Sequence, residues 1–109
     1  MKSFINIILC MCILFSYSIR SEDIPYLLTA ASKGDIESVR AIIESGGNPN
    51  TEDGNKVTAL MYASRKNQVE VARYLISEGA EVNKQEIDGW TALMYASKNN
   101  YSDMVELLI

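Results

Sequence analysis

A block of seven residues occurs twice, unchanged and 33 positions apart: Thr58-Ala59-Leu60-Met61-Tyr62-Ala63-Ser64 and Thr91-Ala92-Leu93-Met94-Tyr95-Ala96-Ser97. The same offset aligns Asn67 with Asn100, Leu75-Ile76 with Leu108-Ile109 and Asn50 with Asn83. One step further back sets Leu27 under Leu60, Ala30 under Ala63, Ile42-Ile43 under Leu75-Ile76, and Gly46 under Gly79. A period of this length means that one supersecondary unit is repeated and that neighbouring units cover each other's apolar faces.

Each unit reads as two short helices and a turn. In the middle unit Thr58 is an N-cap candidate, its hydroxyl accepting from backbone N–H groups of the first turn. Leu60, Met61 and Ala63 supply an inward face, which ends at the polar break Arg65-Lys66-Asn67-Gln68. A second helix runs through Val69–Ile76, with Val71, Ala72, Leu75 and Ile76 at the spacing of a buried stripe. Gly79 sits where a helix end takes a left-handed residue. Glu86-Ile87-Asp88-Gly89 reads as a hairpin tip. Helices of about eight to ten residues are marginal alone in water, so the expected fold is an all-α solenoid of stacked helix-turn-helix pairs with hairpin loops.

These residues resemble the ankyrin repeats. The beginning of that family's pattern is matched by Asp88-Gly89-Trp90-Thr91-Ala92-Leu93-Met94-Tyr95-Ala96-Ser97, and its second helix and exit by Glu70–Asn83. The resemblance extends over residues 24–109: a capping repeat at 24–50, a repeat at 51–83, and an incomplete one at 84–109. The opening unit, Leu27–Asp35 with Glu37–Arg40, is similar to the family's amino-terminal caps. Three departures stand out. Ala59 and Ala92 replace a Pro, a mild change because Ala is the best helix former. Met61 and Met94 replace a His, and with it the hydrogen bond that His makes within the turn. Lys56 stands where Gly89 stands one unit later, which suggests a shifted first hairpin turn, since Asp53-Gly54 lies just before it. An apolar terminus, Leu107-Leu108-Ile109, with no polar closing repeat, makes the chain either a fragment of a longer array or a self-associating one.

Residues 1–21 have another composition. Lys2 precedes the apolar run Phe4–Phe15, broken only by Asn6, and Ser16, Ser18 and Ser21 follow. A basic start, a short apolar middle and small residues behind it describe a cleaved export signal, residues 1–18, with a later cut after Ser21 as the alternative. The run is shorter than the roughly 20 apolar residues of a membrane span, so membrane contact is expected only through an uncleaved signal. Both cysteines, Cys10 and Cys12, fall inside it. The expected setting is exported, periplasmic or secreted, with a bacterial source favoured. Asn100-Tyr101-Ser102 satisfies the N-glycosylation pattern, which carries meaning only in a eukaryotic secretory source.

Composition narrows function. The chain has no His and a formal net charge of -4. Ser-His and Cys-His pairs, a His base and His metal ligands are therefore unavailable, and an acidic chain lacks the concentrated basic face of a nucleic-acid binder. No phosphate loop or nucleophile elbow appears; the carboxylate pairs Glu52-Asp53 and Asp35/Glu37 read as solvated turn residues. No catalytic site, cofactor or metal is expected. The resemblance implies a non-catalytic module that binds another protein through hairpin tips and first helices. The positions free of core duty are then Glu52, Gly54, Asn55, Val57, Arg65 and Lys66, and one unit later Gln85, Ile87, Asp88, Trp90, Lys98 and Asn99. Val57, Arg65, Lys66, Ile87, Asp88, Trp90, Lys98 and Asn99 form the candidate protein-binding set. Trp90 leads it, because a Trp buries much area with little lost entropy; packing against Val57 of the previous hairpin is its alternative role. Tyr62 and Tyr95 are expected to line the core or groove, and Arg65 and Lys98 to be solvated.

Overall fold

The computed structural model describes residues 24–109, so the expected export segment lies outside the described residues. Six helices follow in order: α1 (Tyr26–Lys33), α2 (Ile36–Glu44), α3 (Ala59–Arg65), α4 (Val69–Ser77), α5 (Ala92–Lys98) and α6 (Ser102–Leu108). They pair as α1·α2, α3·α4 and α5·α6. The first helices stack on one another as α1·α3·α5, the second helices as α2·α4·α6. None of the described helices is long and apolar enough to cross a membrane.

The start of each first helix follows from one hydroxyl. Thr58 accepts from the Met61 N–H at 3.3 Å, and Thr91 from the Met94 N–H at 3.3 Å. In α3 the Thr58 N–H also donates to Met61 Sδ at 3.4 Å, closing a reciprocal cap. The expectation that Met in place of His leaves the turn without a side-chain acceptor is thus corrected for the middle unit, although sulfur is a weak acceptor.

Termination is as regular. Gly34, Asn67 and Asn100 all take the left-handed conformation, with φ of 75°, 56° and 57°. The amides of Asp35, Gln68 and Tyr101 reach back to the carbonyls of Ala30, Ala63 and Ala96 at 3.0, 2.8 and 3.0 Å. This is the Schellman ending, which satisfies helix carbonyls that have no partner inside the helix. Gly46 and Gly79 repeat it after α2 and α4, with φ of 99° and 96°.

The hairpin turn is unshifted, contrary to the expectation at Lys56. Lys56 itself adopts φ 64° and Gly89 φ 85°, and their amides bond the carbonyls of Asp53 and Glu86 at 3.0 and 2.9 Å. A side chain at that φ costs roughly 1–2 kcal/mol, which the surrounding bonds offset. Lys56→Val should therefore be less stable than Lys56→Gly by at least about 1 kcal/mol. Chemical denaturation of the two variants measures the difference; equal midpoints would mean the turn relaxes freely.

The core follows the repeat. Ala30, Ala63 and Ala96 are buried at the contacts between first helices, where a small residue lets backbones approach. Val71, Ala72 and Leu75 of α4 are buried as the stripe predicts, while Ile76 is half-buried. The units are also stitched by polar groups. Asn50 Nδ2 donates to Gly79 O at 3.2 Å, and Asn50 Oδ1 accepts from the Glu81 N–H at 2.7 Å. Gln68 Nε2 donates to Ser32 O at 3.0 Å, and the Ile87 N–H to Asn55 O at 3.0 Å, joining successive hairpins.

Candidate functional site

Where the hairpins meet the first helices, the two complete loops share one device. Asp53 Oδ1 accepts from the amides of Asn55 and Val57 at 2.8 and 3.0 Å. Glu86 Oε1, 33 residues on, accepts from the amides of Asp88 and Trp90 at 2.7 and 3.0 Å. The other oxygen of each carboxylate takes a tyrosine hydroxyl: Tyr62 to Asp53 at 2.7 Å and Tyr95 to Glu86 at 3.4 Å. One carboxylate thus closes the hairpin from inside and ties it to the first helix. Asp53 is therefore not the solvated turn residue its neighbourhood suggested. A legible signal existed, since in both units the carboxylate stands nine residues before the Tyr.

The electrostatics follow from these bonds. Burial works to raise the Asp53 carboxyl, but the Tyr62 hydroxyl, the Val57 and Asn55 amides and the Arg65 charge hold it below its ordinary value. Burial, then the bond to Asp53 and its charge, push the Tyr62 hydroxyl up to about 12. Tyr95 is raised too, first by burial and then by the Glu86 charge. At neutral pH Tyr62 is therefore a fixed donor to the ionised Asp53 carboxylate.

On this scaffold lies a row of rings and cations. The Trp90 and Tyr95 ring centroids are 5.2 Å apart at an interplanar angle of 32°. The Arg65 guanidinium sits 5.4 Å from the Tyr62 ring and 5.4 Å from that of Tyr95, bridging two units. Lys98 Nζ stands 5.4 Å over Trp90. These spacings fall within the range of aromatic and cation–π attraction. Arg65 and Lys98 are exposed, as expected, yet each is held against a ring.

The candidate residues separate accordingly. Trp90, Arg65 and Lys98 come together, with Tyr62 and Tyr95 beneath. Ile87, 64% exposed, and Asp88 occupy the second hairpin tip, and Lys66 and Asn99 the exposed C-terminal ends of α3 and α5. Val57 is the correction: at 6% exposure it belongs to the core. It opens no surface, because its amide is drawn in by Asp53. Met94 on α5 is 47% exposed although its twin Met61 is buried, because α3 is flanked by α1 and α5.

The other carboxylate candidates have structural roles. Asp35 caps α2, accepting from the Ser38 amide at 3.2 Å and hydroxyl at 2.6 Å; the hydroxyl and then the amide bond hold its carboxyl below the usual range. Glu52 pairs with Lys84 at 3.2 Å across units. Among the described residues no group of three or more Cys, Asp or Glu side chains converges to hold a metal ion.

The family profile described as ankyrin repeats (3 copies) matches residues 27–109. The chain belongs to the ankyrin-repeat family: three helix pairs, hairpin loops between them and a 33-residue period. A search of curated proteins gave no match. Members of this family typically mediate protein–protein interaction and are generally non-enzymatic.

Proposed function

We propose that this chain is an exported, non-catalytic module that binds another protein through the face built from Trp90, Tyr95, Arg65, Tyr62 and Lys98, with Ile87 and Asp88 at its margin. The observation that carries the reading is the bridging position of Arg65 between tyrosines of successive units, beside the stacked Trp90. Side chains held by ring contacts and by carboxylate bonds lose little entropy on meeting a partner, and Trp, Tyr and Arg are the commonest interface anchors. Lys66 and Asn99 extend the face along the helix ends. Export rests on the composition of residues 1–18.

An affinity capture with the processed protein, followed by calorimetry, tests this. Trp90→Ala should weaken the captured complex by more than about 1 kcal/mol, roughly fivefold in Kd, with helical circular dichroism unchanged. An unaltered Kd removes Trp90 from the site. A second reading, self-association, has one observation in its favour: Met94 and Ile109 are 47% and 90% exposed. Light scattering separates the two, since a monomer at high concentration leaves only the first.

A further inference from the structure

Helices α3 and α5 share one run of residues but are covered unequally. Leu60, Met61 and Ser64 of α3 are buried, Met61 at 1% exposure. One period on, Leu93 is half-buried, Met94 is 47% exposed and Ser97 is exposed. On the second helices, Ala72 of α4 is buried, whereas Val105 at the same position of α6 is half-buried. Since the residues of the first helices are the same, the difference lies in their neighbours. Helix α3 packs on α1 and on α5, while α5 packs on α3 and on no later first helix among the described residues. The positions that lose cover are therefore those that face the next unit.

The polar stitch between units is idle at the same end. Asn50 crosses to the next unit twice, its amide donating to Gly79 O at 3.2 Å and its carbonyl accepting from the Glu81 N–H at 2.7 Å. Asn83 stands one period after Asn50, is exposed, and crosses to no further unit among the described residues. Apolar and polar groups thus specify, independently, an occupant that repeats α5, α6 and the loop before them. The opposite end of the stack offers no such surface. At the position of the buried Ala59 and Ala92, α1 carries Tyr26, 64% exposed. The separation of packed helices depends on the side chains at their contact, so a large ring there holds α1 of a second copy away from α5.

We propose that the outer face of α5 and α6, formed by Leu93, Met94, Ser97 and Val105 with Asn83 at its edge, docks a helix pair of the same repeat type on a partner protein. That pair presents a small residue where α5 has Ala92, and a loop whose carbonyl and amide, two residues apart, meet the Asn83 side chain. Burial of Leu, Met and Val surface drives the contact, the unbranched Met adapts to it, and the Asn amide fixes its register. The docking face uses neither Trp90 nor Arg65, so either reading can fail without the other.

The test joins residues 77–109 a second time behind Ile109 of the full chain, which continues the period and holds such a unit at the face at high effective concentration. Hydrogen peroxide should then oxidise Met94 at least tenfold more slowly than in the parent, as for a face covered about nine-tenths of the time or more. Mass spectrometry reads the sulfoxide. Asn83→Ala should leave the urea midpoint of the parent unchanged and lower that of the extended chain. Ala92→Tyr in the appended copy alone should restore rapid Met94 oxidation, with the helical circular dichroism of the parent retained. Equal oxidation of Met94 in the parent and extended chains overturns the proposal, as does an Asn83→Ala effect of the same size in both. Continued protection in the appended Ala92→Tyr variant overturns it too. Protection in the parent that grows with protein concentration overturns it in favour of a second copy.

Discussion

Leu60→Ala is expected to lower the free energy of unfolding by about 2–5 kcal/mol, the usual cost of a buried Leu truncation with its cavity. Leu60 is 1% exposed on α3, which packs on α1 and on α5. One deletion therefore loosens both interfaces, and in a repeat array stability is a sum of such nearest-neighbour terms. A urea titration should show the midpoint fall without a change of slope. The internal control is Leu93→Ala, at the matching position of α5. Leu93 is only half-buried, so its loss should be clearly the smaller. Equal losses would mean that the two copies of the motif are packed alike, against the arrangement described.

Asp53→Ala should cost roughly 2 kcal/mol, because it leaves the Val57 amide and the Tyr62 hydroxyl without partners at a half-buried position. Asp53→Asn keeps one acceptor oxygen and should lose less. The pH dependence has a definite sign. The folded carboxyl lies below its ordinary value of 3.8, so its contribution is fully present above about pH 4 and disappears as pH falls through the lower folded value. Tyr62 is shifted oppositely, from 10.0 to about 12. Its contribution is complete below pH 10 and is lost as pH rises toward 12. Wild type should thus lose stability at both extremes, and Asp53→Ala should flatten both limbs, because its carboxylate is the common partner. Thermal unfolding across pH 3–11 reads this directly; an unchanged alkaline limb in Asp53→Ala would mean that burial alone holds the Tyr62 proton.

Much of the fold was legible because it depends on local chemistry repeated at one interval. Thr58 and Thr91 cap, Gly79 turns left-handed, and Val71, Ala72 and Leu75 form a buried stripe; each is a property of a few adjacent residues. The errors share a cause. Val57 looked free because a single position in a loop carries no periodic signal of burial, and its amide is drawn inward by a side chain four residues away. Lys56 suggested a moved turn because residue type disfavours its φ, whereas the hydrogen bonds around it outweigh that preference. Asp53 looked solvated because its partner Tyr62 lies on another element.

The binding face was half visible. Trp90, Arg65 and Lys98 could be chosen as residue types without core duty, and Trp90's alternative role against Val57 could be weighed. That Trp90 stacks on Tyr95, and that Arg65 spans Tyr62 and Tyr95, depends on how far one unit rotates and slides against the next. No local pattern encodes that. Read residue by residue, the chain already specifies the module: its length, its caps, its left-handed breaks and the small Ala at each helix contact, since these follow from covalent geometry and short-range hydrogen bonding. Which side chains of successive modules meet emerges from the folded stack, because that register is set by the summed packing of whole helix faces and not by any one residue.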